Sequence, residues 1–197
     1  RAFVATYVKK GATQGGSSLT QQYVKNVLLL QAQEDNDPIA EYHASEETVA
    51  RKLREMLIAV QMEKTYSKLE ILQGYLNIAQ FGRGIYGVEM AARRYFSTTA
   101  DKLDIVQAAT IAAITKNPAA FDPSVESNQK ASQRERNIVL DLMYQEEYIS
   151  QKQRDEAKAK PLKDTLKLQD AQAGCSASGD AAFFCRSEEH TSELQSR

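Results

Sequence analysis

Histidine, cysteine and tryptophan are scarce in this chain of 197 residues, which has two histidines, two cysteines and no tryptophan. The histidines are His43 and His190, and the cysteines are Cys175 and Cys185. These four residues show none of the paired spacings that zinc sites use. Ser-His-Asp or Cys-His catalysis would have to depend on one isolated histidine. Any catalysis must therefore rest on carboxylates, lysines, arginines and amides.

An excess of one charge and long apolar runs are also lacking. There are 25 Lys+Arg and 26 Asp+Glu residues, so the net charge is −1, whereas a nucleic-acid binder usually shows a basic surplus. No apolar run reaches the ~20 residues that span a bilayer. The chain begins at Arg1 without a signal peptide, so we expect an internal piece of a longer protein.

Helical sequence patterns dominate the chain, and no stretch alternates with period two for long enough to require a strand. We expect turns at 11–18 and 81–87 and a loop at 34–47. Helices are predicted at 1–10, 19–33, 46–64, 67–80, 87–96, 103–116, 126–147 and 150–160. The helix at 67–80 opens with the capping box Ser67-x-x-Glu70. The predicted fold class is therefore all-α.

The composition changes after Pro161. Residues 161–185 are rich in Gly, Ser, Ala and Asp, and we interpret them as an irregular linker that follows a domain at 1–160. Residues 186–197 resemble a translated sequencing adapter and are excluded from the fold argument.

The first candidate site lies on the helix at 19–33. Ser18, Gln22 and Lys25 share one stripe at positions i, i+4 and i+7, just after the Gly15-Gly16 turn. A helix N-terminus followed by a lysine suits an anionic ligand such as phosphate. The alternative is an ordinary helix with a solvated polar face, which Ser18-x-x-Gln21 caps.

The second candidate site lies on the helix at 46–64, where Arg51 and Glu55 share a stripe with apolar residues. The apolar residues of this stripe are Ile58 and Met62. The opposite face of the helix is also apolar and carries Val49, Leu53, Met56, Leu57 and Val60. A helix that is apolar on two sides is predicted to be sandwiched inside the protein. Arg51 and Glu55 would then be buried, and buried charges must be paired or used. The alternative is an ion pair at the surface.

A third group comprises Tyr75, Asn77 and the segment FGRGIYG at 81–87. Its glycines predict a tight turn or a close backbone approach. The spacing matches neither a P-loop nor a dinucleotide-binding loop. We therefore interpret this group as a structural connection between helices.

Three segments closely resemble glycosyltransferase family 51, the peptidoglycan transglycosylase domain of class A penicillin-binding proteins. They are GGSSLTQQYVKN (15–26), the segment 51–96 and NPAAFDP (117–123), and the resemblance covers residues 1 to about 160. It implies a lysozyme-like, all-α domain on the extracytoplasmic face of the cell membrane, anchored by a transmembrane helix outside this chain. The implied reaction polymerises lipid II into β-1,4 glycan strands and releases undecaprenyl pyrophosphate.

The resemblance also assigns roles to individual residues. Gln22, Lys25 and Arg51, together with Ser18 at a position that is usually Thr, would bind the donor's pyrophosphate while the anomeric carbon is displaced with inversion. Glu55 matches the second of the family's two key glutamates. It would either orient this region or help to hold a divalent cation such as Mg²⁺ near the phosphates.

The family's first glutamate, its general base, belongs to a motif upstream of the matched segments. No residue of this chain takes that role. We therefore expect the chain as given to be inactive in glycan synthesis and an upstream segment to restore activity.

The segment GCSASGDAAFFC resembles the connection between the transglycosylase and transpeptidase domains of class A penicillin-binding proteins. Outside the cytoplasm, Cys175 and Cys185 are suited to close a small disulfide loop, and the alternative is two unpaired thiols. Mass spectrometry with and without reductant distinguishes them.

Two alternatives come from other classes of protein. A lytic transglycosylase would share the fold but has no pyrophosphate for Lys25 and Arg51 to hold. A non-catalytic helical interaction module would bind neither lipid II nor moenomycin, an inhibitor that mimics the lipid-phosphate donor. The implied partners are lipid II, the nascent glycan strand, the cytoplasmic membrane, moenomycin-type inhibitors and the cell-wall synthesis complex, with no nucleic acid.

Overall fold

The computed structural model of the chain describes residues 17–169. In this range the helices are α1 (Leu19–Glu34), α2 (Pro38–Ser45), α3 (Val49–Thr65), α4 (Lys68–Ile78), α5 (Val88–Phe96), α6 (Ile105–Ile114), α7 (Pro118–Phe121), α8 (Gln129–Gln145), α9 (Gln151–Ala159) and α10 (Leu162–Thr165). Between α4 and α5 lie two short strands, β1 (Gln80–Gly82) and β2 (Ile85–Tyr86). Short 3₁₀ turns cover Ala100–Lys102 and Glu126–Asn128. The predicted helix at 1–10, the residues Cys175 and Cys185, and the segment 186–197 lie outside the described residues.

Capping residues fix where the predicted helices begin. Ser67 Oγ accepts a hydrogen bond from the Glu70 amide, and the Glu70 carboxylate accepts one from the Ser67 amide, so the predicted capping box is confirmed. Ser18 and Gln21 form the same box at the start of α1. Each box satisfies backbone donors that the first turn of a helix leaves without an intrahelical partner.

The prediction of a loop over 34–47 is wrong, because residues 38–45 form α2. Asp37 Oδ1 accepts hydrogen bonds from the amides of Ile39 and Ala40, each at 3.0 Å. Pro38 occupies the first helical position, where its missing N–H costs nothing. The helix shows little apolar periodicity because Ala44 is its one buried residue. The Asp-Pro start signal was therefore more informative than periodicity.

Helix α3 buries one face instead of two. Arg51, Glu55 and Ala59 are buried, which confirms the buried position predicted for Arg51 and Glu55. On the opposite face Leu53 is 47% exposed and Leu57 is 72% exposed. The predicted sandwich is thus wrong for this face. Periodicity shows which side chains share a face, but it does not show whether another element covers them.

The FGRGIYG segment forms the antiparallel hairpin β1–β2. Gly87 has φ +82°, and a Cβ there would lie 2.8 Å from the Asn77 carbonyl oxygen, so a side chain at this position would be strained. Buried Tyr95 holds the hairpin by donating a hydrogen bond to the Phe81 carbonyl at 2.7 Å. The all-α prediction is confirmed apart from this hairpin, whose strands are too short to show period-two alternation.

Buried apolar residues of the described chain form two hydrophobic clusters. One cluster joins the end of α4, the hairpin, α5 and α6, and a second cluster joins α6, α8 and α9. Leu162 is buried, and the amides of Lys167 and Gln169 donate to the carbonyls of Tyr95 and Arg94. The described start of the predicted linker at 161–185 is therefore attached to α5, and the division at residue 160 stays a prediction.

Helix α8 contains a buried arginine that pairs with no carboxylate of residues 17–169. Arg136 is 0% exposed, and its Nε and Nη2 atoms donate to Asn137 Oδ1 at 3.1 and 2.8 Å. Within the described part of the chain, its Nη1 atom and the Ser132 hydroxyl have no hydrogen-bond partner. Burial lowers the pKa of Arg136 below its ordinary value.

Among residues 17–169, no helix has the length and apolar character that crossing a membrane requires.

Candidate functional site

A buried cluster of charges forms on the inner face of α3. Glu55 is 1% exposed and accepts hydrogen bonds from both Arg51 and Lys52, with Lys52 Nζ at 3.0 Å from Glu55 Oε2. Arg51 Nε also donates to the Glu46 carbonyl. Because each charged group has an opposite charge or an oxygen within reach, the cluster offsets the desolvation cost of burial. Its charge is positive overall, with two cations and one carboxylate.

Lys52 connects this cluster to the start of α1 through a hydrogen bond to Ser17 Oγ. Ser17 precedes Ser18, whose hydroxyl accepts from the Gln21 amide at 3.2 Å. The positive cluster of α3 therefore meets α1 at the helix N-terminus, where the helix dipole also favours an anion.

The predicted stripe continues along α1. Ser18 and Gln22 are exposed and Lys25 is partly exposed. Lys25 forms no ion pair with any residue in the range 17–169. Gln22 Oε1 accepts a hydrogen bond from the Tyr75 hydroxyl of α4 at 3.3 Å. The stripe thus presents a hydroxyl, an amide and an ammonium group, all suited to the oxygens of an anion.

Apolar residues of α1 and α3 line a cavity whose lining does not include the polar stripe. Val24, Val27 and Leu28 line a cavity of about 490 Å³ together with Ile58 and Met62. The division of α1 into a polar stripe and an apolar face, predicted from its spacing, is therefore observed. Of the third group of the sequence, Tyr75 reaches the stripe, whereas the glycine segment forms the hairpin.

Sequence reasoning missed Lys52 and Ser17, and it placed Tyr75 in a structural connection instead of beside the stripe. Lys52 stands three residues before Glu55, a spacing that brings side chains together on a helix, so this contact was open to prediction. Ser17 and Tyr75 carry no such signal, because their partners lie 35 and 53 residues away in the sequence.

The donor set of the cluster does not suit Mg²⁺, the divalent cation that the resemblance suggested. Magnesium requires several oxygen ligands, but both oxygens of Glu55 already accept from cations. Residues 17–169 contain no group of three or more His, Cys, Asp or Glu side chains able to hold a metal ion.

The fold and the site define a helical domain with a positive cluster at the N-terminus of a helix, and comparison with known proteins gives its family. The sequence profile of the family described as "Transglycosylase" matches residues 1–144. The chain therefore belongs to the transglycosylase family, which confirms the resemblance. The helices of residues 17–169 confirm the predicted all-α class.

Relatives of the chain are penicillin-binding proteins. Penicillin-binding protein 1A of Aquifex aeolicus is 39% identical over 162 residues, which are 82% of this chain and 20% of that protein. Penicillin-binding protein 1A/1B of Bacillus subtilis is 39% identical over 164 residues, 83% of this chain and 16% of that protein. The crystal structure of penicillin-binding protein 1A from Haemophilus influenzae aligns with 77% of this chain and 17% of that chain, with 24% identity and a TM-score of 0.45. The chain spans at most about a fifth of the length of these relatives.

Proposed function

We propose that this chain is the donor-binding part of a peptidoglycan glycosyltransferase, which polymerises lipid II into β-1,4 glycan strands and releases undecaprenyl pyrophosphate. The observation that carries the proposal is the positive cluster of Arg51, Lys52 and Glu55 bonded to the N-terminus of α1. A pyrophosphate group has the charge and the oxygen acceptors that such a site binds.

Each residue of the stripe has a distinct part in the proposed site. Lys25 and Arg51 offset the negative charge that builds on the leaving pyrophosphate, an electrostatic effect that is strongest where water is excluded. Ser18 Oγ accepts from the Gln21 amide, so its own proton is free to be donated to a phosphate oxygen. Gln22 supplies amide donors one turn further along the helix.

Glu55 acts as a positioning residue in this proposal. It is buried and holds both Arg51 and Lys52, so it fixes the direction in which the two cations face the ligand. Without its carboxylate the cations would repel each other at close range. This assigns Glu55 to orientation of the site, one of the two roles that the resemblance left open.

The proposal extends to location and partners. Because lipid II is membrane-bound, the enzyme would work at the extracytoplasmic face of the cell membrane, with the nascent glycan strand as acceptor and a cell-wall synthesis complex around it. Moenomycin, which mimics the lipid-phosphate donor, would bind the same stripe. A lytic transglycosylase is less well supported, since it holds no pyrophosphate and would leave Lys25 and Arg51 without a ligand.

Binding of fluorescent moenomycin to the full 197-residue chain tests the proposal. Lys25→Gln should weaken binding about tenfold or more, because a hydrogen bond to a charged group contributes roughly 1.5–3 kcal/mol. Arg54→Gln is the matched control, since Arg54 is an exposed cation on another face of α3. The control should bind like the wild type. Absence of binding by the folded wild-type chain, or equal weakening by both substitutions, would contradict the proposal.

A further inference from the structure

Tyr75 of α4 makes a direct polar contact with the proposed donor site. Its side chain is buried, with 6% of the residue exposed, and its hydroxyl donates to Gln22 Oε1 at 3.3 Å. The two residues are 53 positions apart in the sequence. Gln22 itself is exposed on the stripe of α1. A buried phenol from a neighbouring helix therefore holds one end of an exposed amide.

The direction of this hydrogen bond determines which end of the Gln22 amide remains available to a ligand. Burial raises the pKa of Tyr75 above its ordinary value of 10.0, against a smaller lowering by its hydrogen bond with Thr115. The phenol is therefore protonated at neutral pH. A protonated phenol can donate or accept, and in the structure it donates to Gln22 Oε1. A glutamine side chain has one acceptor oxygen and one NH₂ group with two donors. With Oε1 engaged by Tyr75, the NH₂ group is left for a ligand.

This orientation matters because an anion discriminates between the two ends of an amide. Phosphate oxygens accept hydrogen bonds from an NH₂ group and are repelled by a carbonyl oxygen. A freely rotating glutamine would present either end and would lose conformational entropy when the ligand selects one of them. A glutamine fixed with its NH₂ group outward is already arranged for an anion.

We propose that Tyr75 is a positioning residue that fixes the Gln22 amide so that its NH₂ group donates to the pyrophosphate of the donor. This inference rests on the proposed function and adds a residue to it. Tyr75 acts through Gln22 and has no contact of its own with the ligand.

Tyr95 provides the matched control, because it is also buried and also uses its hydroxyl. That hydroxyl contacts the Phe81 carbonyl at 2.7 Å and Asp122 at 3.1 Å, which belong to the hairpin and the segment after α7. Removing it should lower thermal stability without changing the site. Tyr75→Phe and Tyr95→Phe thus delete the same atom in two places, and only one of them adjoins the stripe.

Titration of the full chain with inorganic pyrophosphate tests the inference. Tyr75→Phe should weaken binding about fivefold, the amount expected for one hydrogen bond that preorganises a donor. In a Gln22→Ala background, the same substitution should have no further effect, because Tyr75 would have lost the group through which it acts. Tyr95→Phe should leave the affinity within about twofold of the wild type.

A second measurement follows the wild-type chain alone. The side-chain NH₂ signals of Gln22 in a ¹⁵N-correlated NMR spectrum should shift as pyrophosphate is added. Binding with unmoved Gln22 signals, or equal weakening by Tyr75→Phe with and without Gln22, would overturn the role of Tyr75 and leave the proposed function intact. No binding of either pyrophosphate or moenomycin by the folded wild-type chain would overturn both.

Discussion

Two buried arginines of this molecule, Arg51 in α3 and Arg136 in α8, have different hydrogen-bond partners. Arg51 is 8% exposed and pairs with the Glu55 carboxylate. Arg136 is 0% exposed and donates to the amide oxygen of its neighbour Asn137. Within residues 17–169, the first belongs to a cluster that reaches the start of α1, whereas the second forms no ion pair.

The difference shows that burial of a charge does not by itself mark a functional site. A buried charge is costly in both places. At Arg51 the cost is offset by Glu55, and the cluster directs positive charge toward the polar stripe of α1. At Arg136 the guanidinium fills space between helices with few polar partners. The set of partners, more than the degree of burial, therefore separates a ligand site from a structural position.

Substitution of Arg51 by methionine should have the largest effect on stability. Among residues 17–169, the change leaves the buried Glu55 with Lys52 as its one remaining charged partner. Breaking a buried pair typically costs about 3 kcal/mol or more. Urea unfolding of the full chain gives the free energy of unfolding. If Arg51→Met matched the wild type, the pair would contribute nothing and the comparison of the two arginines would fail.

The capping boxes at Ser18 and Ser67 give an effect of intermediate size. Ser18→Ala and Ser67→Ala each remove an N-cap and should each lower the free energy of unfolding by about 1 kcal/mol. Only Ser18→Ala should also weaken moenomycin binding, because Ser67 caps α4 away from the stripe. Similar moenomycin binding by the two variants would show that Ser18 caps α1 and does not belong to the binding site.

Arg136→Met should change stability less than either serine substitution. Methionine removes the desolvation cost of a guanidinium that has no ion-pair partner among residues 17–169. Replacing buried charges by apolar side chains is often neutral or stabilising. We expect a free energy of unfolding within about 0.5 kcal/mol of the wild type or above it. A loss as large as that of Arg51→Met would show that Arg136 has a strong partner after all.

The smallest effect on stability is expected from a change of pH at the capping box of Ser67 and Glu70. Hydrogen bonds from the side chain and the backbone of Ser67 lower the pKa of Glu70 below its ordinary value of 4.5. The folded state thus favours the Glu70 carboxylate. The stability that this carboxylate contributes is fully present above pH 4.5 and is lost as the pH falls through the lowered pKa. Glu70→Gln should therefore melt slightly below the wild type at pH 7, with the difference vanishing in acid. A constant difference would exclude this contribution.

Much of the fold was predictable because the signals were local. The capping boxes at Ser18 and Ser67 and the spacing of Arg51 and Glu55 depend on residues within one turn of each other, and the structure confirms all three. Helix α2 was missed although its Asp37-Pro38 start is equally local. Its short length left too little periodicity to recognise.

The features that the sequence could not reveal depend on distant parts of the chain. Whether another element covers Leu53 and Leu57 is decided by tertiary packing, so the predicted sandwich was wrong on that face. Tyr75 meets Gln22 only because α4 packs on α1. Part of the site was therefore visible as a stripe and an ion pair, while the contacts that join them required the structure.

The affinity of inorganic pyrophosphate for Arg51→Lys and Arg136→Lys tests the central claim most directly. Both substitutions keep the charge and remove a guanidinium, which is not interchangeable with an ammonium at a site that binds phosphate. The account predicts that Arg51→Lys weakens binding about fivefold or more while Arg136→Lys stays within about twofold of the wild type. Equal affinities of the two variants would contradict the assignment of the α1–α3 cluster as the pyrophosphate site.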